Sequence, residues 1–165
     1  MMRRLARTLS VAALIAGVAA ALPAQASSLS QGRAAFLRGN YLLAARLLAP
    51  LAGRGNPRAQ AMLGFMYENG LGAPQGYDVA FELYCGAAER GDPTGQYLLG
   101  LLYDKGHGVE RDDVLAYKWL KLAAAAAPAH ERERYLRIRD AVASKMSLNQ
   151  IAEGQRLALD WRPRP

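Results

Sequence analysis

Residues Gly53–Ala73 read GRGNPRAQAMLGFMYENGLGA, and residues Glu89–Val109 read ERGDPTGQYLLGLLYDKGHGV. The two align without a gap at an offset of 36 residues. Gln60/Gln96, Leu63/Leu99, Gly64/Gly100, Tyr67/Tyr103, Gly70/Gly106 and Gly72/Gly108 are identical across that offset. Downstream it continues through Ala80/Ala116, Ala87/Ala123 and Ala88/Ala124. Upstream it runs back through Tyr41/Tyr77, Ala44/Ala80, Leu47/Leu83, Ala52/Ala88 and Pro57/Pro93. A fixed period in the thirties marks stacked supersecondary units.

Each unit breaks at glycines and prolines into two helical pieces, about 58–69 and 77–90 in the first copy. Ala59, Met62, Leu63 and Met66 fall on one helical stripe, and Tyr77, Ala80, Phe81, Tyr84, Ala87 and Ala88 form another. No apolar–polar alternation suggests a strand. The RGDP at 90–93 reads as punctuation: Gly91 suits the left-handed position past a helix end, Asp92 an N-cap and Pro93 a first turn. RGNP at 54–57 repeats this with Asn56 as cap, which sets aside a cell-adhesion reading of Arg-Gly-Asp. Gly64 and Gly100 fall mid-helix, where glycine costs about 0.5–1 kcal/mol relative to alanine. Close approach of a partner helix, with Ala80, Ala87 and Ala88 as small counterparts, would offset that cost. The glycine pairs at 70/72 and 106/108 predict tight turns between the helices of each unit.

These residues resemble the Sel-1-like repeat, a relative of the tetratricopeptide repeat. The resemblance rests on AQAMLGFMYENGLG and AFELYCGAAERGDP, then on GQYLLGLLYDKGHGVERDDVLAYKWLKLAAAAAP. The second copy carries Val109, Asp112, Ala116, Lys118 and Trp119 near the family's places. The first departs from the pattern with Ala73, Gly76 and Leu83 in place of Val, Asp and Trp. The resemblance implies an all-α short solenoid of antiparallel helical hairpins that binds other proteins and has no catalytic residues. The expected organisation is a degenerate N-terminal unit over 27–57, repeats over 58–93 and 94–128, and capping helices over 129–165.

Solenoid ends need caps. Phe36, Leu37, Leu43, Leu47 and Leu51 are the expected core at the N-terminal end. At the other end, Tyr135, Ile138, Val142 and Met146 form one stripe, with Glu133 and Arg137 spaced for an i,i+4 pair. Ser147 and Gln150 open a further helix as a capping box. Its expected apolar stripe is Leu148, Ile151, Ala152 and Leu159. A basic membrane-surface helix is the rival reading, weakened by Glu131, Glu133, Asp140, Glu153 and Asp160 among the arginines.

Residues 1–26 carry Arg3, Arg4 and Arg7, an apolar run of 14 residues from Leu9 to Leu22, then Pro23 and AQA. This reads as a cleaved secretory signal, cut after Ala26, since the run is too short to span a bilayer. It predicts a periplasmic or secreted protein with no stable membrane insertion. Losing those three arginines lowers the formal net charge of +7 by three. The remaining excess is spread rather than clustered, so no nucleic-acid partner is expected.

Cys85 is the single cysteine. It reads as a semi-buried helix filler, with a reactive thiol or an intermolecular bridge as alternatives. His107 and His130 have no ligand-spaced neighbours, so no metal site is expected. None of the few hydroxyls lies in a G-x-S-x-G or S-x-x-K context, which leaves an envelope hydrolase or β-lactam-binding enzyme as a weak alternative. No cofactor is implied. What remains is an adaptor for another envelope or secreted protein or peptide, or a self-associating module whose oligomeric state the sequence leaves open. On the face lined by the first helices, Met62, Phe65 and Glu68, with Tyr97, Leu101 and Asp104 one period on, are the candidate partner-binding residues.

Overall fold

A computed structural model describes residues 28–164, so the proposed signal sequence lies outside the described residues. Among the described residues every regular element is a helix. The first, α1, covers 28–37. It is followed by α2 (Tyr41–Gly53), α3 (Pro57–Glu68), α4 (Tyr77–Glu89), α5 (Pro93–Lys105), α6 (Asp113–Ala126), α7 (Ala129–Ala143) and α8 (Leu148–Asp160). The chain forms a short solenoid of helical hairpins.

Helix starts keep the period more faithfully than side chains do. Helices α3, α5 and α7 begin at 57, 93 and 129, and helices α2, α4, α6 and α8 at 41, 77, 113 and 148. In the last pair α7 stays in phase and α8 starts one residue early, although the repeat residues of this pair are gone. The starts are local chemistry. The Asn56 and Asp92 side chains accept the backbone N–H of Ala59 at 3.0 Å and of Gly95 at 2.8 Å. Proline at the first helical position gives up a hydrogen bond that the helix does not make there. Ser147 and Gln150 form both halves of a capping box at α8.

Stacking follows chain order: α2 on α3, α3 on α4, and so on to α7, with α3 also touching α5. Two contacts repeat at the 36-residue offset and tie one unit to the next. Gln60 donates its amide N–H to the Ala52 carbonyl at 3.2 Å, and Gln96 does the same to Ala88 at 3.3 Å. Gly72 and Gly108, at φ +72° and +69°, each rest against the backbone that opens the preceding unit's second helix. A side chain there would begin 2.6 Å from the Tyr41 and Tyr77 carbonyls respectively. Both positions thus require glycine on two grounds, conformation and space.

Gly64 and Gly100 do admit a neighbour closely, but the neighbours differ from those expected. A Cβ at Gly64 would lie 2.7 Å from the Tyr84 ring, and one at Gly100 would lie 2.8 Å from Leu120. The alanines meet a glycine elsewhere, with Gly95 set directly on Ala87.

The two ends depart from the expected cores. Leu51 is buried and Phe36 and Leu47 are half-buried, but Leu37 is 72% exposed and Leu43 also faces out. The inner face of α1 is instead Gly32 and Ala35, because α1 lies so close to α2 that Gly32 abuts Leu48. At the far end Tyr135 and Val142 are buried as expected. In α8, however, Leu148 and Leu159 are 85% and 71% exposed and Ala152 faces out. Gly154 and Ala158, one turn apart, are the buried residues, since α8 approaches α6 closely enough to bring Gly154 onto the Tyr117 ring. Arg134 pairs with Glu131 in place of the expected Glu133–Arg137 pair.

Candidate functional site

The first helices of successive hairpins, α1, α3, α5 and α7, line a groove of about 660 Å³. Arg33 of α1, Arg58, Ala61 and Met62 of α3, and Pro93 and Thr94 of α5 form part of its wall. The end of α6 and the start of α7 add Ala126, Ala127, Pro128, His130, Glu131 and Tyr135. The three helix starts that converge here repeat the period, with Asn56, Asp92 and Pro128 as N-caps. Arg58, Thr94 and His130 follow at the second helical position of each. The groove is thus built from turns that the repeat must make anyway.

Its electrostatics are mixed. Among the described residues, neither Arg33 nor Arg58 has an ion-pair partner within salt-bridge distance, although Arg58 is near enough to Asp92 to act on its carboxyl. The Asp92 carboxyl is raised above the usual range by burial, opposed by the Gly95 N–H and by nearby Arg58. Glu131 is lowered, chiefly by its hydrogen bond from Arg134. Apolar Met62 and Pro93 surface lies between these groups. Such a wall can take an extended peptide or a helix with acidic and apolar positions.

Of the six residues expected to bind, Met62 lines the groove and is half-buried. Phe65 is 36% exposed, its ring edge-on to Phe36 at 6.0 Å. Glu68 accepts the Tyr84 hydroxyl at 2.8 Å, and burial with that carboxylate raises the phenol well above its ordinary value. Tyr97 is buried, stacked on Tyr135 at 4.2 Å and 10°, with the Arg134 guanidinium 5.0 Å from its ring. Leu101 is half-buried against that same cluster. Asp104 pairs with Lys145, which follows α7. Tyr97, Leu101 and Asp104 therefore lie where α7 packs on α5, whereas Met62 and Phe65 are more open. Arg33, Arg58 and His130 were missed, although the 58/94/130 spacing marks two of these three positions.

Among the described residues no group of three or more His, Cys, Asp or Glu side chains could hold a metal ion. Ser144 donates to the Ala141 carbonyl and Ser147 caps α8. Cys85 is half-buried, its thiol pushed up to about 12 by burial and by Glu82 and Glu89. No described helix is long and apolar enough to cross a membrane.

The family model described as Sel1 repeat matches residues 57–92 and 93–127. Among solved structures the chain is similar to a protective antigen present in uropathogenic Escherichia coli strains displaying an SLR fold. That likeness has a TM-score of 0.75 and 24% identity, over 83% of this chain and 29% of that one. It is also similar to a Sel1 repeat protein from Oxalobacter formigenes, with TM-score 0.63 and 25% identity, over 81% of this chain and 56% of that one. The chain thus spans under a third and little over half of these two proteins. No curated protein matches it. Sel1 repeats generally mediate protein–protein interaction, and their fold is typically a non-catalytic scaffold. Two matched units and a solenoid shared with both solved structures identify residues 57–127 as Sel1 repeats.

Proposed function

We propose that this chain is an exported adaptor of the bacterial cell envelope that holds a partner protein or peptide in the groove along its first helices. The observation that carries this reading is the groove itself, open, partly apolar, and lined by the guanidinia of Arg33 and Arg58, which form no salt bridge among the described residues. Met62 and Phe65 supply adjacent apolar anchor surface. Tyr97, Leu101, Glu68 and Asp104 act beneath it by fixing the helices that form the wall. The guanidinia of Arg33 and Arg58 beside apolar surface suit an amphipathic segment with acidic positions.

Photo-crosslinking in living cells tests this directly. A photoreactive residue at Phe65 or Met62 is expected to give one discrete protein adduct, lost when Arg33 and Arg58 are both changed to Glu. A folded, exported protein that gives no adduct from either position refutes the groove as the contact. Export is tested separately, by finding the mature chain in the periplasmic fraction with Ser27 as its first residue.

Leu37 and Leu42 near one end of the array, and Leu148 and Leu159 near the other, are exposed and favour a second reading, end-to-end self-association. Sedimentation velocity separates the two, since self-association requires a sedimentation coefficient that climbs with concentration in the absence of any partner.

A further inference from the structure

The amino-terminal end of the array stands apart in charge. Residues 28–67 contain five arginines, Arg33, Arg38, Arg46, Arg54 and Arg58, and no Asp, Glu or Lys. The next residues reverse the balance: over 68–92, Glu68, Asp78, Glu82, Glu89 and Asp92 face Arg90 alone. Among the described residues none of the five amino-terminal arginines forms an ion pair. Arg38, Arg46 and Arg54 are exposed and lie outside the groove.

Apolar surface is exposed among these same arginines. Leu37 ends α1 and is 72% exposed, and Leu42 in the first turn of α2 is 58% exposed. The short turn between them carries Arg38, and an added Cβ at Gly39 would meet nothing within 4 Å, so the turn stands clear of the rest of the chain. Leu42, Arg46, Ala49 and Pro50 then follow at i, i+4, i+7 and i+8, all exposed along one face of α2. The stack does not demand this composition. One period on, Leu42 and Arg46 become Asp78 and Glu82 of α4, which are exposed as well. Nor does the other end of the array repeat it. Exposed Leu148 and Leu159 lie on α8 with Arg156, whose guanidinium is held by Glu153 at 2.7 Å and by Asp160 at 2.9 Å.

We propose that the face formed by Leu37, Arg38, Leu42 and Arg46 docks the array on a bilayer surface rich in anionic phospholipid. Guanidinia suit lipid phosphates, which they can bond in bidentate fashion. The two leucines enter the boundary between headgroups and acyl chains, as apolar side chains of a surface-bound helix do. An anionic surface repels carboxylates, so their absence from residues 28–67 is what such a contact requires. Asp78 and Glu82 on the neighbouring helix mark its edge. Residues 1–27, with the apolar run Leu9–Leu22, join the array at α1, so a membrane that engages that run meets this hairpin first. The docking face shares no residue with the groove and does not depend on the groove reading.

Partition onto vesicles tests it, using the chain purified as cells leave it, with its variants alongside. On vesicles of equal parts phosphatidylglycerol and phosphatidylcholine, Arg38→Gln/Arg46→Gln should bind about 25-fold more weakly than the unaltered chain, at about fivefold per arginine. Added salt should narrow that difference, and on phosphatidylcholine alone the two proteins should partition alike. A folded double variant that partitions as the unaltered chain does overturns the proposal. Equal partition of the unaltered chain onto the two kinds of vesicle overturns it as well. If the double variant does not fold, Arg46→Gln alone must still lose about fivefold, and its failure to do so counts equally against the proposal. A concentration-dependent dimer of the unaltered chain, broken by Arg38→Gln/Arg46→Gln and indifferent to vesicles, would give this face to the Asp78 and Glu82 of a second copy and overturn the assignment to a membrane.

Discussion

Changing Gly108 to alanine tests whether the inter-helix turns hold the stack together. Two costs add at that position. A non-glycine residue in the left-handed region loses about 1–2 kcal/mol. The new methyl would also begin 2.6 Å from the Tyr77 carbonyl oxygen and 2.7 Å from its carbon, and this backbone is fixed by α4. Overpacking of this kind costs about 1–3 kcal/mol. The sum is about 2–5 kcal/mol, or a fall in Tm of about 6–15 °C for a domain of this size. Gly39 supplies the internal control, since it has φ +75° and nothing within 4 Å of an added Cβ. Gly39→Ala should therefore show the conformational cost alone. Urea and thermal unfolding followed by far-ultraviolet circular dichroism would give both values. If Gly108→Ala and Gly39→Ala agree within about 0.5 kcal/mol, the turn-on-backbone contact does not stabilise the stack and the reasoning fails.

Replacing Asp92 by Asn, which copies the Asn56 cap, should keep α5 capped and change the pH response. Because burial raises Asp92 in the folded protein, the folded state binds more protons, so its contribution to stability declines as pH rises from the ordinary carboxylate range through the elevated folded value. Urea unfolding from pH 4 to 8 should show that decline in the unaltered chain and a flatter curve for Asp92→Asn; parallel curves would refute it. Cys85, with its thiol near 12, should react with a disulfide reagent at pH 8 about a thousandfold more slowly than an unperturbed thiol until the chain unfolds, and rapid labelling of folded protein would refute this. Tyr84→Phe removes the hydroxyl that Glu68 accepts and should cost about 1.5–3 kcal/mol in urea unfolding. No measurable loss would mean that water replaces the bond.

Hairpin architecture, caps and turns were legible because each depends on local chemistry: Asn56 and Asp92 at helix starts, and glycines at positive φ. Burial at the ends was not. A hydrophobicity stripe selects the largest side chains, whereas α1 and α8 approach their neighbours so closely that only Gly32, Ala35, Gly154 and Ala158 fit inside. Leu37, Leu148 and Leu159 are left outside for that reason. The candidate site was half legible. Met62, read from the repeat, lines the groove and Phe65 is exposed, but Tyr97 looked equally free and is covered by Tyr135 of α7, whose sequence no longer carries the repeat. Arg33 reaches the groove from α1, where only the three-dimensional stack could place it.

The seats for Gly72 and Gly108 lie in the preceding unit each time, on Tyr41 and Tyr77. The array therefore has a direction. A chain emerging amino-terminus first from a ribosome or a translocation pore brings out each seat about thirty residues before the turn that fills it. Every new hairpin meets a finished surface, and assembly can proceed unit by unit without waiting for the end of the chain.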